Sequence, residues 1–429
     1  MSITIDTNRL IAELHHLATF TEPAAEGAAG PGDTAVTRVV FTERDREART
    51  YLSSLAAAAG LTERVDAIGN TFFRWAGSEP ELPAVATGSH VDAIPNAGMY
   101  DGTVGVLGGL EAIRALQAAG FRPRRSIELI LFTSEEPTRF GIGCLGSRMM
   151  SGALAPQAAR ALRDAKETAL EDVRMAAGFG GSLDGVRLAR DHYAAFVELH
   201  IEQGPLLEAE GLAIGIVTAI AAPASARITL TGLGGHAGAL LMPDRRDALA
   251  AAAEIILSVE HAARGTGVID TVATVGMCEV FPGAVNSVPS RVHLSLDVRD
   301  IDEARRDLVL HEITAACADT ARNRDLTIVC DVLNADAPAA CEPGILDAIV
   351  EACTEADLSS RTMVSRAYHD ALFMARVCPV AMIFIPCRSG VSHRPDEYSS
   401  PQEIARGSEV LARTLQLLSG SWLLATGRW

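Results

Sequence analysis

Aromatic residues are scarce in this chain, 5% of 429, and no two cysteines stand at the CxxC spacing of a structural metal knuckle. The eight cysteines (Cys144, Cys278, Cys317, Cys330, Cys341, Cys353, Cys378 and Cys387) are scattered. They read as reduced core residues, and a disulfide-stapled scaffold is excluded. Positive charge is also short. Lys and Arg number 37 against 54 Asp and Glu, a net charge of −17. Without a basic face to displace counterions, nucleic acid is excluded as a partner. No run of about twenty uncharged apolar residues occurs, so no membrane span is expected. The opening stretch MSITIDTNRLIAELHHLATF reads as an amphipathic helix with charges throughout and lacks the apolar core and cleavage site of an export signal. The expectation is a cytoplasmic protein. Internal repeats and low-complexity tracts are missing too.

What is present is a chain that is 48% hydrophobic and rich in Ala and Gly, which suits helices packed closely on sheets. Its length predicts two domains, each with its own core. In the first half, helical periodicity (45–59, 104–119) alternates with apolar strand-like runs (84–89, 127–133), the mark of an α/β sheet. From about Gly215 the pattern becomes a long strand (217–231), a helix (245–264), strands 271–280 and 291–298, a helix (301–323) and a strand (326–333). That β-α-β-β-α-β order is the split βαβ, ferredoxin-like motif, which can close a core of its own. The predicted domains are therefore 1–214 with 335–429, carrying catalysis on a mixed sheet flanked by helices, and an inserted domain at 215–334. Residues 151–193 read as a polar helical decoration of the first domain.

Four stretches put His, Asp or Glu directly after an apolar strand: TGSHVDAIPNAGMYDG (87–102), LFTSEEPTRFG (131–141), FVELHIEQG (196–204) and GVSHRPDEYSS (390–400). Loops at the carboxyl ends of sheet strands are where such folds gather ligands. A metal needs convergent nitrogen and oxygen donors, and His90, Asp101, Glu136, His200 and His393 are the candidates. Five protein ligands exceed what one catalytic zinc takes with a position left open. They suit two ions about 3.5–4 Å apart sharing a carboxylate, and Asp101, just before a helix whose dipole favours its ionised form, is the candidate bridge. Asp92, two residues beyond His90, is placed to accept the second ring N–H of that ligand. Neighbouring side chains on extended backbone point apart, so Glu136 and Glu135 divide the work: Glu136 to metal, Glu135 as base. Taken singly, each of these residues has an ordinary structural reading, a bonded histidine or a solvated turn. Together and in this setting they point to one site, because unpartnered ionisable groups are costly near sheet ends.

At these residues the sequence resembles the M20 metallopeptidase and amidohydrolase family, within it the branch of allantoate, N-carbamoyl-L-amino-acid and ureidoglycolate amidohydrolases. The motifs are GSHVDAIPNAGMYDG, TSEEPTRFG, ELHIEQGP, GGHAGALLMPDRRDA, PGAVNSVPS and YHDALFMAR. The resemblance spans nearly the whole chain. It implies one divalent cation on Asp101, Glu136 and His393, and another on His90, Asp101 and His200, manganese before zinc. Glu135 becomes the general base. It further implies a homodimer joined through the inserted domain, with His236 and Asn286 reaching the partner's active site, His236 at the developing oxyanion and Arg299 clamping a substrate carboxylate. A planar guanidinium fork suits that task, although Arg299 alone would read as a surface ion pair. Gln203 is a further candidate substrate contact, with a structural amide as the alternative.

The stretch SRAYHDALFMARVCPVAMIFIPC most resembles the ureidoglycolate branch, in which Tyr368 and His369 would line the pocket and Asp370 would support His369. The alternative is a buried tyrosine beside a supporting His–Asp pair. The implied reaction is hydrolysis of a terminal ureido or carbamoyl C–N bond in a small anionic compound, ureidoglycolate first, an N-carbamoyl-L-amino acid or allantoate as alternatives. A catalytically inactive binding relative would have lost a ligand or the base, and each of those positions is filled.

Overall fold

The computed structural model describes residues 2–23, 27, 29–30 and 32–420; residues 421–429, counted with the first domain above, lie outside them. The chain divides into two compact units. The first comprises Met1–Thr218, Ala340–Met363 and His369–Trp429; the second comprises Ala219–Ala339 and Val364–Tyr368.

The first unit is built on a nine-stranded mixed sheet. Its centre is four parallel strands, in spatial order Val380–Ile385, Tyr193–Ile201, Ala84–Ser89 and Ile127–Leu131. Strands covered on both faces need no polar alternation, and accordingly every residue of these four is buried. Antiparallel strands Thr71–Trp75 and Thr62–Val65 extend one side, and Ile214–Ile220 the other. The helix Thr103–Ala118 packs on this sheet through small residues. A β-carbon on Gly105 would overlap the Leu199 carbonyl, so a larger residue there would lift the helix off the strands. The helix Pro401–Ser419 starts on a capping box between Ser400 and Glu403, which satisfies two otherwise orphaned N–H groups.

The second unit is an antiparallel sheet in the order Val272–Phe281, Arg291–Asp300, Ala222–Thr231, Thr327–Ala335. Helices Ala248–Gly265 and Glu303–Arg324 pack on it. Ile228, Leu230, Ile255, Leu294, Val309 and Ile313 form the centre of its core. This is the ferredoxin-like arrangement expected from the order of elements.

Three details differ from expectation. The run 217–231 is two strands, Ile214–Ile220 and Ala222–Thr231, because the amide of Ala221 turns away to the Ser365 carbonyl and Pro223 has none to give. Between the helix that ends at Ser151 and the strand that begins at Tyr193, the segment holds the short helices Pro156–Ala161 and Leu170–Ala176, one 3-10 turn, a bridge between Arg163 and Ala169, and irregular chain. Glycines 178, 180 and 181 interrupt the segment, and Arg174 ties it down by donating to the carbonyls of Ala67, Phe179 and Gly181. Not every cysteine is a core residue either. Cys278 is exposed and Cys330 half-buried, on the two edge strands of the second sheet. Among the described residues no helix is long and apolar enough to cross a membrane.

In the first unit the Cys341 amide donates to the Thr218 carbonyl at 2.9 Å. The chain therefore re-enters this sheet beside the point where it left.

Candidate metal centre

Four parallel strands point their carboxyl ends toward one edge of the first sheet, and the candidate ligands lie on or just beyond those ends. His90 follows Ala84–Ser89, Glu135 and Glu136 follow Ile127–Leu131, His200 is the penultimate residue of Tyr193–Ile201, and His393 lies beyond Val380–Ile385. Asp101 stands two residues before the helix Thr103–Ala118.

Asp101 is shared between two groups of donors. Its Oδ1 lies 3.1 Å from His200 Nε2 and 3.5 Å from His90 Nε2. Its Oδ2 lies 3.3 Å from His393 Nε2, which is also 3.3 Å from Glu136 Oε1. Within each triad the donor atoms lie within 4.8 Å of one another. The imidazoles are set for coordination through Nε2, since His90 Nδ1 faces the Asp92 carbonyl at 3.0 Å and His200 Nδ1 the Ile201 carbonyl at 2.9 Å. A ring N–H given to a carbonyl leaves the far nitrogen's lone pair for a cation. Asp92 thus supports His90 by its main chain, while its carboxylate accepts the amides of Glu135 and Glu136 at 3.2 and 3.0 Å. One residue thus ties down the ring of His90 and the backbone that carries Glu135 and Glu136.

Charge argues for cations here. Burial drives the Glu136 carboxyl up to about 7, helped by the charge of Asp101, and pushes Glu135 well above its usual range, with Glu136 and Asp370 adding to it against the pull of His90. Burial works against protonation of His90, yet Glu135, Asp101 and Asp92 outweigh it and raise the imidazole well above normal. The hydrogen bond to Asp101 lifts His393 to about 9. Acids reluctant to ionise beside imidazoles eager for protons describe a site short of positive charge. The nitrogen and oxygen donors suit a pair of divalent cations, and Asp101 has one oxygen for each.

A third group, Glu198, His200 and His369, also brings donors within 4.8 Å. It shares His200, and both Glu198 oxygens are engaged, by Ser89 Oγ at 2.7 Å and the Ala371 amide at 3.0 Å. It is the weaker metal site. The buried His369 ring lies 4.5 Å from that of His200 and 5.8 Å from that of Phe384. Asp370 accepts from Ser147 Oγ at 2.5 Å.

Gln203 Nε2 donates to Asp101 Oδ2 at 2.7 Å, so the amide supports the shared carboxylate directly. Sequence reasoning missed Ser392 and Glu397. Ser392 Oγ stands 2.7 Å from Asp101 Oδ2 and 2.9 Å from Glu397 Oε2. Glu397 Oε1 accepts the amides of Tyr100 and Asp101, which knits the Asp101 loop to the His393 loop. It also missed Glu198, although alternation in ELHIE puts Glu198 on the same strand face as His200, and Cys144, whose thiol meets Glu135.

His236, Asn286, Arg299 and Tyr368 belong to the second unit. The short strands Gly235–His236 and Ser287–Val288 pair, and the Ala237 amide donates to the Asn286 carbonyl, so two of the four are neighbours, both exposed. Arg299 forms a two-point ion pair with Asp297, at 2.7 and 3.3 Å, and its guanidinium carbon lies 5.7 Å from the centre of the Tyr368 ring.

Known proteins agree with this architecture. Residues 86–417 match the model of peptidase family M20/M25/M40. The ureidoglycolate hydrolase of Arabidopsis thaliana is 50% identical over 425 residues, 97% of this chain and 88% of the relative. The N-carbamoyl-L-amino acid amidohydrolase of Geobacillus stearothermophilus is 39% identical, with 91% and 94% covered. The crystal structure of AtUAH in complex with glyoxylate superposes with a TM-score of 0.88 at 50% identity, covering 97% and 99%. With the motifs, the fold and these relatives in accord, the chain belongs to the M20 family, on its amidohydrolase side.

Proposed function

We propose that this protein is a dinuclear amidohydrolase that removes the terminal nitrogen of ureidoglycolate. The observation that carries the reading is Asp101, whose two oxygens serve separate donor triads with Glu135 beside them. The substrate follows from the relatives at about half identity across the chain, one named for ureidoglycolate and one solved with glyoxylate.

Two divalent cations, manganese before zinc, would supply the Lewis acidity that polarises the ureido carbonyl and makes water a competent nucleophile. His90, Asp101 and His200 would hold one, and Asp101, Glu136 and His393 the other. Glu135 takes a proton from the attacking water and returns it to the departing amine, which leaves as ammonia. The N-carboxylate left behind loses carbon dioxide, and the resulting hydroxy-amine expels a second ammonia to give glyoxylate. His236 is assigned to the developing oxyanion, Asn286 to substrate binding and Arg299 to the substrate carboxylate, where Asp297 now occupies its fork. Tyr368 and His369 are assigned to the substrate pocket.

We assign the second unit to a lid and to a homodimer contact, supported by exposed Val329, Val332 and Leu333 on an edge strand. Cytoplasmic residence is the matching proposal, supported by eight free thiols.

The test is ammonia release by manganese-loaded protein from ureidoglycolate, allantoate and several N-carbamoyl-L-amino acids at equal concentration. Preference for ureidoglycolate with glyoxylate formed is expected. Activity confined to a carbamoyl amino acid would overturn the substrate and leave the mechanism standing. Glu135→Gln should lower turnover about 10²–10⁴-fold with metal content unchanged.

A further inference from the structure

We infer that Cys144 is a positioning residue for the general base: its thiol holds Oε1 of Glu135 and so reserves Oε2 for water. The inference rests on Glu135 being the base. Cys144 Sγ lies 3.4 Å from Glu135 Oε1, while Oε2 lies 3.7 Å from His90 Nε2, on the side of the first triad. The two oxygens of one carboxylate therefore face different surroundings.

The contact is built into the backbone. The amides of Cys144, Leu145 and Gly146 donate to the carbonyls of Glu135, Ser134 and Thr133 at 2.7, 2.8 and 2.8 Å, lacing the turn to the segment that carries the base. Cys144 adopts φ 54, the left-handed region in which glycine would sit without steric cost. The chain spends a side chain there, and that side chain reaches Glu135. Ser147 Oγ contacts the Cys144 carbonyl at 3.2 Å and Asp370 at 2.5 Å, which pins the turn from its other side. Ser147 and Asp370 thus support the same arrangement.

A thiol is suited to the task by being a weak donor. An arginine or lysine at this place would hold the carboxylate more firmly, but would strip it of the basicity the reaction needs. Cys144 is fully buried, and burial together with the charge of Glu135 keeps the thiol protonated. It stays a donor across the working pH range.

The experiment compares Cys144→Ala, Cys144→Ser and Glu135→Gln as metal-loaded proteins, reading kcat, KM, metal content and the infrared S–H stretch. Cys144→Ala should lower kcat at least tenfold with KM and metal content unchanged. Cys144→Ser, which restores a donor, should recover to within about threefold of the parent. The S–H band that disappears in both Cys144 variants should move to higher frequency in Glu135→Gln, where a neutral amide accepts more weakly. A Cys144→Ala protein with unchanged kcat, or one that loses metal along with activity, overturns the inference. So does an S–H band indifferent to Glu135→Gln. If Glu135→Gln retains full turnover, the base assignment itself fails. If that variant is inactive while Cys144→Ala is unimpaired, only the positioning role fails.

Discussion

Gly102 lies against the imidazole of His90 so closely that a β-carbon on it would overlap the ring, and it does so at φ 66, where a side chain is strained in any case. The glycine that ends the MYDG motif is thus a space requirement of the candidate metal centre as well as a turn residue. Gly102→Ala should displace His90 and empty the triad it shares with Asp101 and His200. Atomic absorption should then find one tightly held cation per chain in place of two, and turnover should fall at least a hundredfold.

Gln203 was a candidate for touching substrate, yet its amide nitrogen bonds Asp101 while its Oε1 is buried with no hydrogen-bond partner among the described residues. Removing a group that orients a ligand typically costs 10–100-fold in metal affinity. Gln203→Ala should show that loss in a chelator competition. A raised KM with metal affinity intact would return Gln203 to the substrate.

Protons occupy the role of cations in the metal-free protein. His393 is lifted to about 9 by its bond to Asp101, so below that pH the apo protein holds a proton there that an incoming cation must expel. Metal binding at pH 7.5 should release protons, and apparent affinity should rise with pH through about 9. Calorimetry in buffers of different ionisation enthalpy measures the release. His393→Asn should reduce it, and a release independent of pH and of His393 would contradict the assignment.

In the second unit, Ile313 is fully buried between helix and sheet. Truncation there leaves a cavity, at a cost of about 2–5 kcal/mol. Ile313→Ala should lower the unfolding free energy by that amount, read as a lower denaturant midpoint at unchanged slope, without changing the metal content of the first unit, which contains all five candidate ligands.

The candidate ligands could be picked out because most lie at or beyond the end of an apolar run recognisable as a strand, and Asp101 just before a helix; strand ends collect ligands whatever their order in sequence. The ferredoxin-like unit was legible from the order of its elements, with a strand such as Arg291–Asp300 alternating buried and half-buried residues. What escaped notice was held by contacts between distant segments. Glu397 supports Asp101 across almost 300 positions, and nothing local marks DEYSS as more than a polar turn. Cys144 meets Glu135 through a turn whose left-handed residue is not a glycine, so the usual signal was missing. The 151–193 segment reads as more helical than it is because its composition suits helices, while its packing depends on Arg174 gathering three carbonyls.

The hydrogen bond from Cys341 to Thr218 brings together the two ends of the long excursion that carries Ala219–Ala339, the greater part of the second unit. A chain that leaves and returns at adjoining strands can gain or lose the excursion without redrawing the sheet. For protein engineering, Thr218 and Cys341 mark a socket. A short turn joining them would omit residues 219–340 and keep all five candidate ligands, and a different domain spliced there would meet the same two points of the sheet.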